Sequence, residues 1–169
     1  MRVSAKADYA ARAAAELSTA TDKPIKADRI AQAQDIPAKF LETILLELKH
    51  AGIVRSQRGP EGGYALARPA EEISVADVIR AVDGPLANVR GDRPENMEYN
   101  GAAEPLTDVW IAVRAALRDI LETTTLANLR DGELPPRVAE LADDPEAWVS
   151  LGRIRGATPT GGRKSAQPK

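Results

Sequence analysis

Along this chain of 169 residues, apolar positions first recur at three- and four-residue spacing from Ser4 to about Ala20. Ala7, Ala10, Ala14 and Leu17 share one face, and Ser4 is placed as N-cap, so the pattern predicts an amphipathic helix whose small residues permit close packing. Thr21-Asp22-Lys23-Pro24 breaks it, and a short helix is expected over about 27–34 with Ile30 and Ala31 inward. Asp35-Ile36-Pro37 forms a bend into a third helix, about 37–50, striped by Leu41, Ile44, Leu45 and Leu48, with Gly52 just past its end. Two helices joined by a tight bend, the second with a polar outer face, have the layout of a helix-turn-helix.

Two short strands, 53–58 and 64–67, are then predicted around the glycine-rich turn Gly59-Pro60-Glu61-Gly62-Gly63, which makes a hairpin and turns the unit into a winged helix. Ser74-x-x-Asp77 reads as a capping box opening a helix through Val75, Val78, Ile79 and Val82 that Gly84-Pro85 closes. Residues 86–104 are polar and aperiodic. A long helix is expected from about Leu106 to Thr123, with a one-sided apolar stripe whose partner is either the winged helix or a second copy of itself. One or two further helical turns around 125–129 and a short helix over 137–142 follow, then a Gly-, Pro- and Ser-rich basic stretch read as a disordered tail.

The expected fold class is therefore mainly α with a small β-hairpin wing: a winged helix-turn-helix plus a long C-terminal dimerisation helix. The division expected is 1–84 for the winged helix-turn-helix (helix-turn-helix about 27–50, wing about 53–67) and 85–105 for a loop of sensor type. Residues 106–131 hold the long helix and the short one after it, 132–151 a short helical extension, and 152–169 the basic tail.

Composition narrows the chemistry. The chain has no cysteine and one histidine, His50, which excludes disulfides, thiolate sites and thiol nucleophiles and leaves almost nothing for a histidine metal site or a Ser-His-Asp triad. No phosphate-binding glycine loop is present, because Gly62-Gly63 leads from one strand into another instead of into a helix. An enzyme is not expected. The net charge of −2 conceals an asymmetry: residues 1–69 hold 11 basic against 8 acidic side chains, residues 70–169 hold 12 against 17, and the stretch 149–169 has five basic and no acidic ones. No run of apolar residues is long enough for a membrane span and the start shows no leader pattern, so a cytoplasmic protein without membrane partners is expected.

Several stretches together resemble one family, the winged-helix bacterial transcription regulators that include IscR, NsrR and CymR. They are Met1-Arg2-Val3-Ser4-Ala5-Lys6, Ile36-Pro37-x-x-Phe40-Leu41-Glu42, Ala51-Gly52-Ile53-Val54-Arg55-Ser56, the wing from Arg58 to Tyr64, Ile73 to Ile79, Asp83-Gly84-Pro85-Leu86, Trp110 and Thr124-Thr125-Leu126-Ala127. They run in order from residue 1 to about 131. The resemblance implies a dimeric, sequence-specific DNA-binding regulator, usually a repressor, acting on a pseudo-palindromic operator. Cluster-binding relatives carry three cysteines in the loop corresponding to 86–104, where this chain has none. Asp8 matches a carboxylate ligand of some nitric-oxide-sensing relatives, but one carboxylate without thiolates cannot hold an iron–sulfur cluster, so no cofactor is expected.

On this reading Lys39, Glu42 and Thr43, on the outer face of the first two turns of the third helix, meet base edges: lysine at guanine or phosphate, glutamate at cytosine N4, threonine at a base or thymine methyl. Arg58 enters the minor groove, and Gly59, Gly62 and Gly63 bring backbone N–H groups to phosphates. Lys26 and Lys49, with Arg2, Lys6 and Arg55, are further phosphate candidates; each has the plainer reading of a solvated surface charge. His50 reads as solvated or helix-capping, and Glu61 is a like charge at a phosphate-facing tip. The expected homodimer interface is Leu106, Val109, Trp110, Val113, Leu117, Ile120 and Leu121, shared with the intrachain core. The 86–104 loop either takes a small-molecule or protein effector or has no sensory role. The alternative function is a winged-helix protein-interaction module using the acidic C-terminal half.

Overall fold

The computed structural model describes residues 2–20 and 23–149, so the expected basic tail lies outside the described residues. Helix α1 (Ala5–Ser18) starts at Ser4, whose hydroxyl accepts from the Ala7 N–H at 2.9 Å. Its stripe of Ala7, Ala10, Ala14 and Leu17 is buried together with Ala13. Alanines let neighbouring backbones approach closely, and α1 accordingly runs through the middle of the molecule, touching α2 (Ala27–Gln34), α3 (Ala38–His50), the wing and α4 (Val75–Asp83). Ile30 of α2, Leu41, Ile44, Leu45 and Leu48 of α3, and Val78 of α4 are all fully buried against it.

The turn between α2 and α3 places Asp35 at φ 50°, a left-handed position that aspartate tolerates better than most side chains. Ile36 then drops into the core with its N–H on the Ala31 carbonyl at 3.0 Å, and Pro37 caps α3. Strands β1 (Val54–Gln57) and β2 (Gly63–Leu66) pair antiparallel with Val54 opposite Leu66 and Gln57 opposite Gly63. They are shorter than expected at their ends, although the Ala67 N–H still bonds the Ile53 carbonyl at 2.9 Å. The capping box of α4 forms in both directions, Ser74 hydroxyl to Asp77 N–H and Asp77 carboxylate to Ser74 N–H.

Helix α5 (Leu106–Leu121) ends two residues earlier than expected, because the Thr123 and Thr124 hydroxyls donate to the Asp119 and Ile120 carbonyls and satisfy its last turn. None of its sixteen residues is buried. Helix α6 (Leu126–Asp131) corrects the expected division of the chain. Its Leu126 and Ala127 lie in the same core as α1 and α3, and the Val75 and Leu126 N–H groups bond the Thr124 and Ile73 carbonyls at 2.8 and 2.9 Å. The segment after α5 thus returns to complete the winged-helix core. A second capping box, Thr125 with Asn128, starts it and Gly132 in the left-handed region ends it. Helix α7 (Pro136–Asp143) and a 3-10 turn at Pro145–Trp148 close the described chain.

Candidate nucleic-acid interface

Burial divides α3 cleanly. With Leu41, Ile44, Leu45 and Leu48 committed to the core, helical geometry turns Lys39, Glu42, Thr43, Lys49 and His50 to solvent, and all five are exposed. The Thr43 hydroxyl bonds no side chain; it faces its own helix, at 3.4 Å from the Lys39 carbonyl. Among the described residues, Lys39, Lys49 and Arg58 form no salt bridge, so their charges are free to meet an anion. Glu47, by contrast, is half-buried and holds Lys6 at 3.1 Å, which takes Lys6 out of the set of free cations. Asp8 likewise pairs with Arg12 at 3.2 Å.

Phe40, on the same stretch of α3, is 59% exposed and meets Tyr9 edge-on at 6.3 Å between ring centroids, with the Arg12 guanidinium over the other ring at 5.4 Å. In the sequence Phe40 stands out only as part of the Ile36–Glu42 stretch that resembles the family. Its position two residues before Glu42 on a polar helix was the available signal for an aromatic group on the outer face.

The wing is fastened to the start of α2. Ile25 and Tyr64 exchange both backbone hydrogen bonds at 2.8 Å, forming a bridge outside the hairpin. That close approach explains Gly63: a Cβ there would lie 2.6 Å from the Ile25 carbonyl oxygen. Gly62 is equally confined, since its Cβ would stand 2.3 Å from the Gln57 carbonyl oxygen, and its own N–H bonds the Gly59 carbonyl at 2.9 Å. The expectation that the Gly62 amide faces phosphate is therefore corrected: that donor is spent inside the turn, and both glycines serve to let backbone pass backbone. Gly59, at φ 108° with open space around it, does supply the left-handed turn.

Because Ile25 is tied to the wing, Lys26 at the N-cap of α2 lies beside the hairpin. A cleft of about 620 Å³ opens between them, lined by Lys23, Lys26, Arg29 and Gln32 on one side and Pro60 and Glu61 on the other. Glu61 does not stand alone at the tip. It pairs with Lys23 at 3.5 Å across the cleft, although both side chains are about four-fifths exposed and the pair is worth little in water. Lys23 and Arg29 were missed in the sequence, where the three-residue steps Lys23–Lys26–Arg29 were the legible sign. Arg55 gives its Nε–H to the Leu66 carbonyl at 3.2 Å and keeps its charge and remaining donors, so it stays among the phosphate candidates.

The residues expected at a dimer interface separate into two groups. Leu106 and Val109 are exposed, and Trp110, Val113, Leu117, Ile120 and Leu121 are half-buried. The 86–104 loop accounts for part of that cover. Trp110 donates its indole N–H to the Tyr99 hydroxyl at 3.0 Å, the Thr107 hydroxyl bonds the Met97 carbonyl at 3.2 Å, and Glu95 pairs with Arg114 at 2.6 Å. Among the described residues no group of three or more His, Cys, Asp or Glu side chains could hold a metal ion. The sequence has no thiolate to offer a cluster, so its donor set does not fit one.

Comparison with known proteins agrees with this architecture. The family model described as Rrf2, iron-dependent transcriptional regulator, matches residues 3–132. A Mycobacterium tuberculosis protein named as an HTH-type transcriptional regulator is 53% identical over 151 residues, covering 89% of this chain and 94% of its own. The transcriptional regulator CymR of Bacillus subtilis is 33% identical, with 79% and 94% covered. The solved structure of B. subtilis CymR, described as a global cysteine regulator, superposes with a TM-score of 0.67 at 30% identity over 78% of this chain and 98% of that one. The structure of IscR from T. potens gives 0.62 at 28% identity, covering 90% and 94%.

Proposed function

Since the chain belongs to the Rrf2 family, and is thus a DNA-binding transcription regulator and not an enzyme, we propose that it acts as a homodimeric repressor on a pseudo-palindromic operator, in the cytoplasm and without an iron–sulfur cluster. The observation that carries this reading is the unburied apolar face of α5, Leu106, Val109 and Val113 included, beside a winged helix whose own core is complete. A second copy of the same face is the partner that a two-fold operator requires. Each protomer then presents the outer face of α3, with Lys39, Glu42 and Thr43, to a major groove, and Arg58 to the flanking minor groove. Lys23, Lys26 and Arg29 belong with the backbone contacts, where they raise affinity without reading sequence. The 86–104 loop is the place for an effector. The rival reading, a protein-interaction module, gives way to the family assignment.

The test is selection of bound fragments from sheared DNA of the source organism at two salt concentrations, with Arg58→Ala in parallel. A few enriched sites sharing an inverted repeat, weakened in Arg58→Ala by roughly ten-fold or more, is the expected result. Enrichment everywhere that disappears in the higher salt would reduce the activity to non-specific phosphate contact.

A further inference from the structure

Where α4, the 86–104 loop and α5 meet, four arginines converge on one concavity. Arg80 comes from α4, Arg93 from the loop, and Arg114 and Arg118 from successive turns of α5, and with Asn88 and Glu95 they line a pocket of about 260 Å³. In sequence these guanidinium groups are scattered over some forty positions, and the surrounding half of the chain is acidic.

Three of the four are held in place from behind. Glu122 accepts from Arg80 and, at 3.0 Å, from the Arg118 Nε, while Glu95 accepts from Arg114 at 2.6 Å; Arg80 also stands 3.8 Å from Asp77. Arg80 and Arg118 hold the Glu122 carboxyl below the usual glutamate range. A backbone hydrogen bond and Arg114 do the same for Glu95, so both braces stay ionised at neutral pH. A guanidinium has five N–H donors, and each brace uses only part of that fork, leaving pre-oriented donors for a second acceptor. Arg93 has no salt bridge among the described residues. Four guanidinium groups are met by three carboxylates, Asp77, Glu95 and Glu122, so the cluster keeps one net positive charge, with Arg93 the guanidinium that no carboxylate binds. A second arginine-bearing cleft, near α6, differs in how its guanidinium groups are held: there Arg55 and Arg68 each give a donor to a backbone carbonyl, and Arg130 binds Asp131 and Glu71.

The geometry points to a binding site for a small multiply charged oxyanion, a polycarboxylate or a di- or polyphosphate, gripped by Arg80, Arg93, Arg114 and Arg118. The volume corresponds to about nine water molecules, enough to seat a small organic acid or a diphosphate. Arg80 gives the ligand a route to the DNA-binding unit, because α4 packs directly on both α1 and α3. The site names the ligand class for the loop effector proposed above and rests on that reading only for its regulatory consequence.

The experiment is thermal unfolding of the full chain with citrate, with pyrophosphate and with inorganic phosphate, each against sodium chloride matched in ionic strength. Citrate or pyrophosphate at a hundred-fold excess over Kd is expected to raise Tm by roughly 5–10 °C. Which of the two does so separates the carboxylate from the phosphate source. Arg93→Ala, on an exposed residue with no ionic partner to orphan, should weaken the anion at least ten-fold with an unchanged circular dichroism spectrum. Arg90→Ala, in the same loop but outside the pocket, should not. An equal shift from matched chloride, no shift with any of the anions, or an Arg93→Ala protein that responds like the wild type would overturn the site. DNA binding is scored separately: a chain that takes the anion but selects no DNA refutes the repressor reading alone, and the converse refutes the anion site alone.

Discussion

Helices α3 and α5 have similar sequences in one respect and opposite fates in another. Both carry apolar residues on one side at helical spacing, Leu41-Ile44-Leu45-Leu48 in the first and Val109-Val113-Leu117-Ile120 in the second. In α3 all four are completely buried; in α5 none is, and Val109 is 47% exposed. The difference lies in what surrounds them. Helix α3 is enclosed by α1, α2, α4 and the wing, whereas α5, among the described residues, packs chiefly on α4 and the 86–104 loop. Amphipathic periodicity therefore reports that a face must be covered, and says nothing about whether the cover comes from the same chain.

The sharpest way to break this comparison is to truncate one leucine on each side. Leu45→Ala empties a fully enclosed site and is expected to cost about 2–5 kcal/mol, read as a fall in the denaturant midpoint at constant slope. Leu106→Ala, at a partly exposed position on α5, should leave the monomer's stability within about 0.5 kcal/mol once measured below the dimerisation range. Equal losses at both positions would show that α5 is covered within one chain after all.

A smaller effect is expected from Val109→Asp, which places a charge on the exposed stripe. Sedimentation velocity should show the dimer dissociation constant raised about a hundred-fold, near 2.8 kcal/mol, while the helical signal persists. A wild-type chain that is already monomeric at micromolar concentration would remove α5 as an interface altogether.

The smallest effect probes the ionic tie between the two regions. Glu122, just past α5, binds Arg80 of α4 as well as Arg118, and those hydrogen bonds lower its folded pKa. With the folded value below the unfolded one, the stabilisation is fully present above the ordinary glutamate range, near about 4.3, and is lost as pH falls through the folded value. Glu122→Gln should therefore flatten the acid limb of the stability–pH curve and leave the region above pH 5 with a constant offset; an unchanged acid limb would show that the tie is not made in solution.

Much of the winged helix was legible because local rules and burial agree there. Ser4 and the Ser74–Asp77 box announce helix starts, Gly52 and Gly84 announce stops, and the apolar stripes of α1 and α3 are the residues that the core buries. The candidate site was legible in part. The outward direction of Lys39, Glu42 and Thr43 follows from the period of α3 alone. The wing glycines were recognised as a turn, but their reason was not, because it lies in the passage of Ile25 across β2, a contact between residues some forty apart.

By itself, then, the amino-acid order determined which segments are helical, which faces are apolar, and that no thiolate chemistry is open to this regulator, since these depend on neighbours a few residues away or on composition. Tertiary structure decided the rest. It sent α6 back into the first core, set Glu61 against Lys23, spent the Gly62 amide within its own turn, left the α5 stripe only partly covered, and gathered four distant arginines around one pocket. Each of these depends on which surfaces meet after the chain has folded, and local periodicity carries no information about that.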